Sequence, residues 1–64
     1  MNWEFIGVKI KDARLEKGLT QQDLASIVVV SAESISYYES GKKKPSVEKL
    51  KVICRVLGLS MNDL

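Results

Sequence analysis

The residues of this 64-residue chain that could do chemistry lie near its centre. On a helix that begins at Ser31, the residues Ala32, Glu33, Ser36 and Tyr37 share one stripe, because spacings of one, four and five residues fall on one side of a helix. A methyl group can press on a thymine methyl, a carboxylate can accept from a cytosine amino group, and hydroxyls can bond to many base edges. Such a stripe suits the major groove of double-stranded DNA.

Three consecutive lysines, Lys42, Lys43 and Lys44, follow this stripe. A run of charge is often only a solvated surface. Directly after a groove-reading helix, however, the run would lie over the neighbouring backbone phosphates. Each phosphate that a lysine neutralises steepens the dependence of binding on salt by about 0.9 in a log–log plot. We therefore predict that these lysines contact phosphates.

The parts of an enzyme are missing from the sequence. It has no histidine and no glycine-rich phosphate loop, and its acidic residues are scattered. Cys54 has no second cysteine or histidine with which to form a disulfide or a metal site, so we expect a small buried hydrophobic residue there. The prediction is a protein that is not an enzyme and needs no cofactor, metal or small-molecule ligand.

Composition limits the size and class of the protein. A chain of 64 residues makes at most one domain, which we place at residues 1–64. Its hydrophobic content of 45% and charged content of 28% are those of an ordinary globular protein. The longest apolar run, residues 27–30, is far shorter than the roughly 20 residues that span a membrane, and no signal segment is visible. We therefore expect a cytoplasmic protein without a membrane partner.

Two short helices at about residues 21–40 would position the polar stripe. Thr20 can cap the first, with Asp23 as its reciprocal partner, and Ser31 can cap the second. The two patterns are about three residues apart, which leaves room for the sharp turn of a helix-turn-helix. The residues expected on their buried sides are Leu24, Ala25, Val28, Ile35 and Tyr38.

Helical patterns also flank this pair. We predict a first helix from Ile6 to about Lys17, ended by Gly18, a fourth after Pro45 and Ser46, and a short fifth helix at Met61 capped by Ser60 with Asp63. The fold class is thus all-α, a compact bundle of about five short helices. Trp3 and Phe5 could cap the core, extend the first helix or contact another subunit, and core packing is preferred. The buried stripe expected on the fourth helix is Val47, Leu50, Ile53, Cys54 and Leu57.

A strand is the alternative for residues 27–30, because four consecutive β-branched residues favour extended structure. A single strand would have no partner in a chain otherwise built from helical patterns. We therefore expect Ile27 and Val28 to finish the second helix and Val30 to pack between the two helices.

Several spaced motifs together resemble the lambda-repressor-like family, also called the Cro/C1 or XRE type. They cover nearly the whole chain, from about Gly7 to Leu64. The matching residues are Gly7, Ile10, Arg14, Lys17-Gly18-Leu19-Thr20-Gln21, Leu24-Ala25, Ser34-Ile35, Tyr38-Glu39-Ser40-Gly41, Pro45-Ser46 and Leu57-Gly58.

This resemblance implies roles for individual residues. It places the base-reading positions at Ala32, Glu33, Ser36 and Tyr37, with Ser31 near enough to join them. Further polar residues would meet phosphate beside the lysines or brace the complex, and a structural ion pair would join the first helix to the end of the third. These further residues are Gln21, Gln22 and Ser40 for phosphate, and Arg14 with Glu39 for the ion pair.

The resemblance also implies a transcriptional regulator of bacterial, phage or plasmid origin. Two copies would bind a palindromic operator as a homodimer, with reading helices about 34 Å apart. Leu59, Met61 and Leu64 lie where related domains often join. The alternative is a protein-interaction module, such as an antitoxin-like or accessory subunit, that keeps the fold without reading DNA. Glu33 and the net charge of only +2 favour this alternative, and the lysines oppose it.

One residue departs from the family pattern. The turn between the two helices usually contains glycine where this chain has Val29. The left-handed backbone conformation is free of steric strain only in a residue without a Cβ atom. A β-branched residue there would be strained by about 1–3 kcal/mol. Either Val29 bears that strain or the turn has another shape.

Overall fold

A computed structural model describes residues 2–64, which fold entirely into helices and short connections. Within this range there are four α-helices and one 3-10 turn. They are α1 (Trp3–Glu16), α2 (Gln21–Val28), α3 (Ala32–Ser40), α4 (Val47–Leu57) and the 3-10 turn Met61–Asp63.

The all-α prediction is confirmed, but the fifth helix was wrong. Asp63 donates its backbone N–H to Ser60 and Leu64 donates to Met61, at 3.0 and 3.3 Å. This i to i+3 pattern defines a tight turn and not an α-helix. The Ser60 hydroxyl accepts from the backbone of Asn62, so it supports this turn alone.

Each α-helix begins where a polar side chain satisfies a free backbone N–H group. The caps are Asn2, Thr20, Ser31 and Ser46. At Thr20 the bond is reciprocal, because Thr20 also donates its own N–H to the Asp23 carboxylate at 2.9 Å. These local bonds explain why the boundaries of α2 and α3 are readable in the sequence.

Helix α1 begins three residues earlier than predicted. Asn2 accepts from Phe5 N at 3.1 Å, and this cap adds a first turn that contains Trp3. Trp3 packs partly against the core, whereas Phe5 is 46% exposed. Core packing was therefore wrong for Phe5, whose ring lies 5.4 Å from the Lys9 ammonium.

The core lies between the four helices and consists almost wholly of aliphatic side chains. Val47 was predicted to belong to it but is 65% exposed, and the buried stripe of α4 begins one turn later at Leu50. Cys54 is buried, as expected from its isolation in the sequence. The core residues are Ile6, Ile10, Ala13, Leu24, Ala25, Val28, Ile35, Leu50, Ile53, Cys54 and Leu57.

Gly7 lets α1 approach the end of α3 closely. A Cβ atom at this position would lie 2.4 Å from the carbonyl oxygen of Glu39 and 2.6 Å from that of Tyr38. Backbone atoms cannot move aside as a flexible side chain can, so only glycine fits. This contact fixes the end of α3 against α1 and helps to aim the helix outward.

Candidate nucleic-acid interface

The turn between α2 and α3 is tight and left-handed. Helix α2 ends at Val28, and Val29 follows with φ 61° and ψ 57°. The strand alternative for residues 27–30 is therefore wrong. Val29 is strained because it has a Cβ atom in the left-handed region. The other residues of the described chain with positive φ are the glycines Gly18, Gly41 and Gly58, which have no Cβ atom. Val30 returns to the core and donates its N–H to Ala25 O at 3.0 Å.

Helix α3 has one side in the core and the other in solvent. Ile35 is fully buried and Tyr38 packs partly against the core. On the opposite side Glu33 and Ser36 are exposed and Tyr37 is half-buried. The tight turn and the apolar inner side thus present a short polar helix surface outward.

Two of the predicted base-reading residues, Ala32 and Ser31, already have structural roles that leave their side chains less free to contact DNA. Ala32 is half-buried and packs against the core. The Ser31 hydroxyl accepts from Ser34 N at 3.0 Å and lies 2.9 Å from the Ser34 hydroxyl. Glu33, Ser36 and Tyr37 are therefore the freer members of the predicted set.

The lysines after α3 are brought to its outer side. Glu33, Tyr37, Lys42 and Lys43 line one open concavity. The backbone N–H groups of Lys42 and Lys43 donate to Tyr37 O at 3.0 and 3.3 Å, which anchors the loop to the last turn of the helix. The Lys43 ammonium lies 5.1 Å from the centre of the Tyr37 ring, a favourable cation–π distance.

Lys44 is directed toward another part of the molecule. Its ammonium lies 5.9 Å from the centre of the Trp3 ring, on the first turn of α1. No local pattern predicted this contact, because the two residues are far apart in the chain. It separates Lys44 from the concavity that Lys42 and Lys43 line.

The three other residues predicted to contact phosphate, Gln21, Gln22 and Ser40, each form a side-chain hydrogen bond within the protein. Gln21 donates from Nε2 to Glu39 Oε1 at 3.1 Å, and Gln22 Nε2 lies 3.2 Å from the Ser26 hydroxyl. Ser40 donates its hydroxyl to Tyr37 O at 3.2 Å. A primary amide has two N–H donors, so each glutamine keeps one donor for another acceptor.

Arg14 and Glu39 are in direct contact and both are buried. Arg14 Nε lies 2.6 Å from Glu39 Oε2 and Nη2 lies 3.1 Å from Oε1, while Nη1 donates to Leu19 O at 2.8 Å. The hydrogen bond to Glu39 raises the pKa of Arg14, the negative charge of Glu39 adds to this, and burial opposes it. The pair ties α1 to the last turn of α3.

The residues predicted at a dimer interface lie together near the end of the chain. Leu59, Met61 and Leu64 are half-buried and pack against the core of their own chain. Met61 Sδ lies 3.6 Å from the Sγ atom of Cys54, and burial raises the pKa of that thiol. Part of their apolar surface is left in solvent.

One residue at the turn, Lys49, could not be recognised from the sequence. Lys49, on α4, places its ammonium 2.7 Å from Val28 O and 3.3 Å from Val29 O. No local pattern connects a lysine of α4 with a turn some 20 residues earlier. Only the packing of α4 against α2 reveals the contact.

Comparison with known proteins agrees with this geometry. The model of the helix-turn-helix family matches residues 10–64, which is most of the chain. The chain belongs to the helix-turn-helix family, in its Cro/C1 or XRE type. The crystal structure of the clp gene regulator ClgR from C. glutamicum superposes on this helix-turn-helix chain with a TM-score of 0.89. The two are 35% identical, and the match covers 98% of this chain and 81% of the other.

Two curated helix-turn-helix relatives are similar in sequence. The HTH-type transcriptional activator BcrR of Enterococcus faecalis is 39% identical over 56 residues, covering 88% of this chain and 28% of BcrR. The antitoxin PezA of Streptococcus pneumoniae is 39% identical over 59 residues, covering 92% of this chain and 37% of PezA. The chain thus spans only about a third of the length of these relatives. Among residues 2–64 no helix has the length and apolar character needed to cross a bilayer.

Proposed function

We propose that this helix-turn-helix chain binds double-stranded DNA and regulates transcription. The observation that carries the proposal is the outer side of α3, which presents polar side chains beside a lysine loop while its inner side is locked in the core. A helix held in this way can enter a major groove without unfolding. Names of relatives such as the activator BcrR support regulation as the purpose of binding.

The side chains divide by the part of DNA they would meet. Glu33, Ser36 and Tyr37 would face base edges, with Ser31 and Ala32 at the start of the helix. Lys42 and Lys43 would contact phosphates on one side of them. Phosphate contacts position a protein along the duplex, whereas base contacts select the sequence. The same division would place Gln21, Gln22 and Ser40 at the backbone, and Lys44 would meet it only at the side of the molecule that carries Trp3.

Glu33 would favour selectivity over affinity. No ion pair within the described residues neutralises its carboxylate, since the ion pair found there joins Arg14 and Glu39. A carboxylate near phosphates repels them unless it finds a donor, and a cytosine amino group is such a donor. No arginine lies on the stripe to make a bidentate contact with guanine. DNA shape would therefore contribute to the choice of site.

A homodimer on a palindromic operator completes the proposal. One helix of this length reaches only a few base pairs, so a single copy would bind weakly. Two copies related by a two-fold axis would place their reading helices about 34 Å apart on one face of DNA. The solvent-facing part of Leu59, Met61 and Leu64 is the surface we assign to this contact. Residues 1–64 would then act as one unit, in the cytoplasm of a bacterial host.

A protein-interaction module is the second candidate. The antitoxin PezA is among the relatives, and the unpaired carboxylate of Glu33 opposes unspecific attraction to DNA. Such a module would use the same fold to hold a protein partner. The two functions differ in whether the isolated chain binds duplex DNA at low salt.

Titration of the chain with random-sequence duplex at two salt concentrations tests the proposal. We expect binding at low salt that weakens as salt rises, and a shallower salt slope in Lys42→Ala and Lys43→Ala. Lys11→Ala, an exposed lysine of α1, is the matched control and should leave the slope unchanged. Absence of binding at low salt would reject DNA binding and favour the interaction module.

A further inference from the structure

The turn between α2 and α3 is held from outside by Lys49 of α4. Its ammonium is 2.7 Å from Val28 O and 3.3 Å from Val29 O. These carbonyls lie at the end of α2, where C=O groups have no partner within the helix and carry partial negative charge. A positive charge is favourable there, so Lys49 acts as a cap that comes from another helix.

The two carbonyls lie on either side of the strained residue. The Val28 carbonyl precedes the Val29 Cα atom and the Val29 carbonyl follows it, so contacts to both restrict the φ and ψ angles of Val29. Val29 is 77% exposed, which means that packing of its own side chain does little to hold it at φ 61°. A strained residue persists only where its surroundings enforce it. The backbone bond from Val30 N–H to Ala25 O and the packing of Val30 against the core supply part of that enforcement, and Lys49 adds to it from α4.

Lys49 is itself well anchored. Its backbone N–H donates to the Ser46 hydroxyl at 3.1 Å in the first turn of α4. The next residue, Leu50, is fully buried, as is Ile53 one turn later. The ammonium is therefore attached to a rigid helix, and it can transmit the position of α4 to the turn.

We propose that Lys49 is a positioning residue for DNA binding. By holding the carbonyls on both sides of Val29, it sets the direction in which α3 leaves the turn, and it does so without touching DNA. This inference rests on the proposed function of α3. It predicts that loss of Lys49 weakens binding through the turn and not through lost phosphate contacts.

The test uses a duplex that the wild-type protein enriches from randomised DNA. Lys49→Met keeps an unbranched apolar side chain and removes the ammonium with its donors, and we expect about a tenfold loss of affinity, as for one hydrogen bond to a charged group. The slope of log affinity against log salt should stay as in the wild type. Lys49→Arg should retain most of the affinity. Lys51→Met, at an exposed lysine of the same helix, is the control.

Rescue by glycine separates a turn effect from a direct contact. Because a glycine adopts the left-handed region without strain, Val29→Gly should restore most of the affinity that Lys49→Met loses. If Lys49→Met instead flattens the salt slope by about 0.9 and glycine does not rescue it, Lys49 contacts a phosphate and the proposal is wrong. Wild-type affinity in Lys49→Met would also overturn it.

Amide hydrogen exchange tests the turn without DNA. The Val30 N–H, bonded to Ala25 O, should exchange about tenfold faster in Lys49→Met, relative to the amide of Ile53. Unchanged exchange would overturn the proposal. If the wild type binds no duplex, the proposed function fails, and this measurement still decides whether Lys49 holds the turn. Should Lys49→Met not fold, Lys49→Gln, which removes the charge and is too short to reach both carbonyls, takes its place in both measurements.

Discussion

The guanidinium of Arg14 has a partner for each of its three nitrogens. Two lie against the Glu39 carboxylate and the third donates to Leu19 O. Burying a charged pair is costly unless its hydrogen-bonding groups are satisfied, and no buried side-chain polar atom of the described residues lacks a partner. Gln21 adds a further donor to Glu39, so the carboxylate is held from two helices.

Removing either member of this pair should severely destabilise the protein. Arg14→Ala and Glu39→Ala each strand a buried charge, and we expect the free energy of unfolding to fall by about 3–5 kcal/mol. A domain of this size has roughly 3–10 kcal/mol in total. Thermal and urea unfolding measure the effect, with the exposed Arg55→Ala as control. Unfolding curves that match the wild type would contradict a structural role.

Val29→Gly should raise stability. The substitution relieves the strain at φ 61° and removes a side chain that is 77% exposed, so little packing is lost. We expect a gain of about 1 kcal/mol and a rise in melting temperature of about 4–8 °C. Ile27→Gly, at a right-handed helical position, is the control and should lower the melting temperature. A lower melting temperature in Val29→Gly would show that Val29 is not strained.

At the scale of elements, the start of α2 depends on two reciprocal hydrogen bonds. The backbone N–H of Thr20 donates to Asp23, and the Asp23 backbone donates to the Thr20 hydroxyl. The backbone bond from Thr20, with a smaller contribution from its side chain, lowers the pKa of the Asp23 carboxyl below its ordinary value of 3.8. The ionised carboxylate therefore stabilises the folded state.

This lowered pKa predicts how stability depends on pH. Because the folded state binds the Asp23 proton less tightly, the stabilisation is fully present above pH 3.8 and is lost as pH falls through the lower pKa of the folded state. The difference in free energy of unfolding between wild type and Asp23→Ala should thus shrink on acidification. Urea unfolding from neutral to acidic pH measures it, with Asp12→Ala, at an exposed site on α1, for comparison. A difference that persists undiminished at the acidic end would contradict this role.

The crossing of α1 and α3 depends on Gly7. Alanine is the better helix former by about 1 kcal/mol, but its methyl would lie 2.4 Å from Glu39 O. We expect Gly7→Ala to lower the free energy of unfolding by about 1–3 kcal/mol, the usual cost of overpacking. Val8→Ala, at an exposed neighbour, should change it by less than about 0.5 kcal/mol. A Gly7→Ala protein as stable as the wild type would show that the helices can separate freely.

At the scale of the whole molecule, the charge of the interface matters more than the net charge. A net charge of +2 is mild, but Lys42 and Lys43 are placed directly beside the outer side of α3. Local concentration of positive charge attracts DNA even when the total is small. The same surface carries Glu33, so under the proposed function the residues that would attract DNA lie beside one that would select its sequence.

Sequence preference and general affinity should respond to different substitutions. We expect Glu33→Ala and Tyr37→Ala to change which base pairs are preferred, and Lys43→Ala to weaken binding to all sequences alike. Binding-site selection from randomised duplexes measures both quantities. An unchanged preference in the first two variants would contradict base reading by α3.

The predictions that the structure confirms depend mostly on residues that are close together in the sequence. The caps Thr20 and Ser31 bond to residues three positions later, and helical spacing alone places Leu24 and Ile35 on buried sides. The exposure of Phe5 and Val47 was not predicted, because both are apolar residues at helical spacing and only packing decides which stripe is covered. The first turn of α1 was missed although Asn2 is a favourable capping residue, and its bond to Phe5 N adds that turn.

The amino-acid sequence by itself determined the helices of the helix-turn-helix and the polar side of α3, since caps and hydrophobic spacing act within a few residues. The family resemblance already pointed to the Arg14–Glu39 pair, but only the tertiary structure decided how α3 is aimed, through the close approach at Gly7 and the Lys49 ammonium at the turn. These contacts join residues that are far apart in the chain. Their energy depends on distances of a few ångströms between packed helices, which no local pattern specifies.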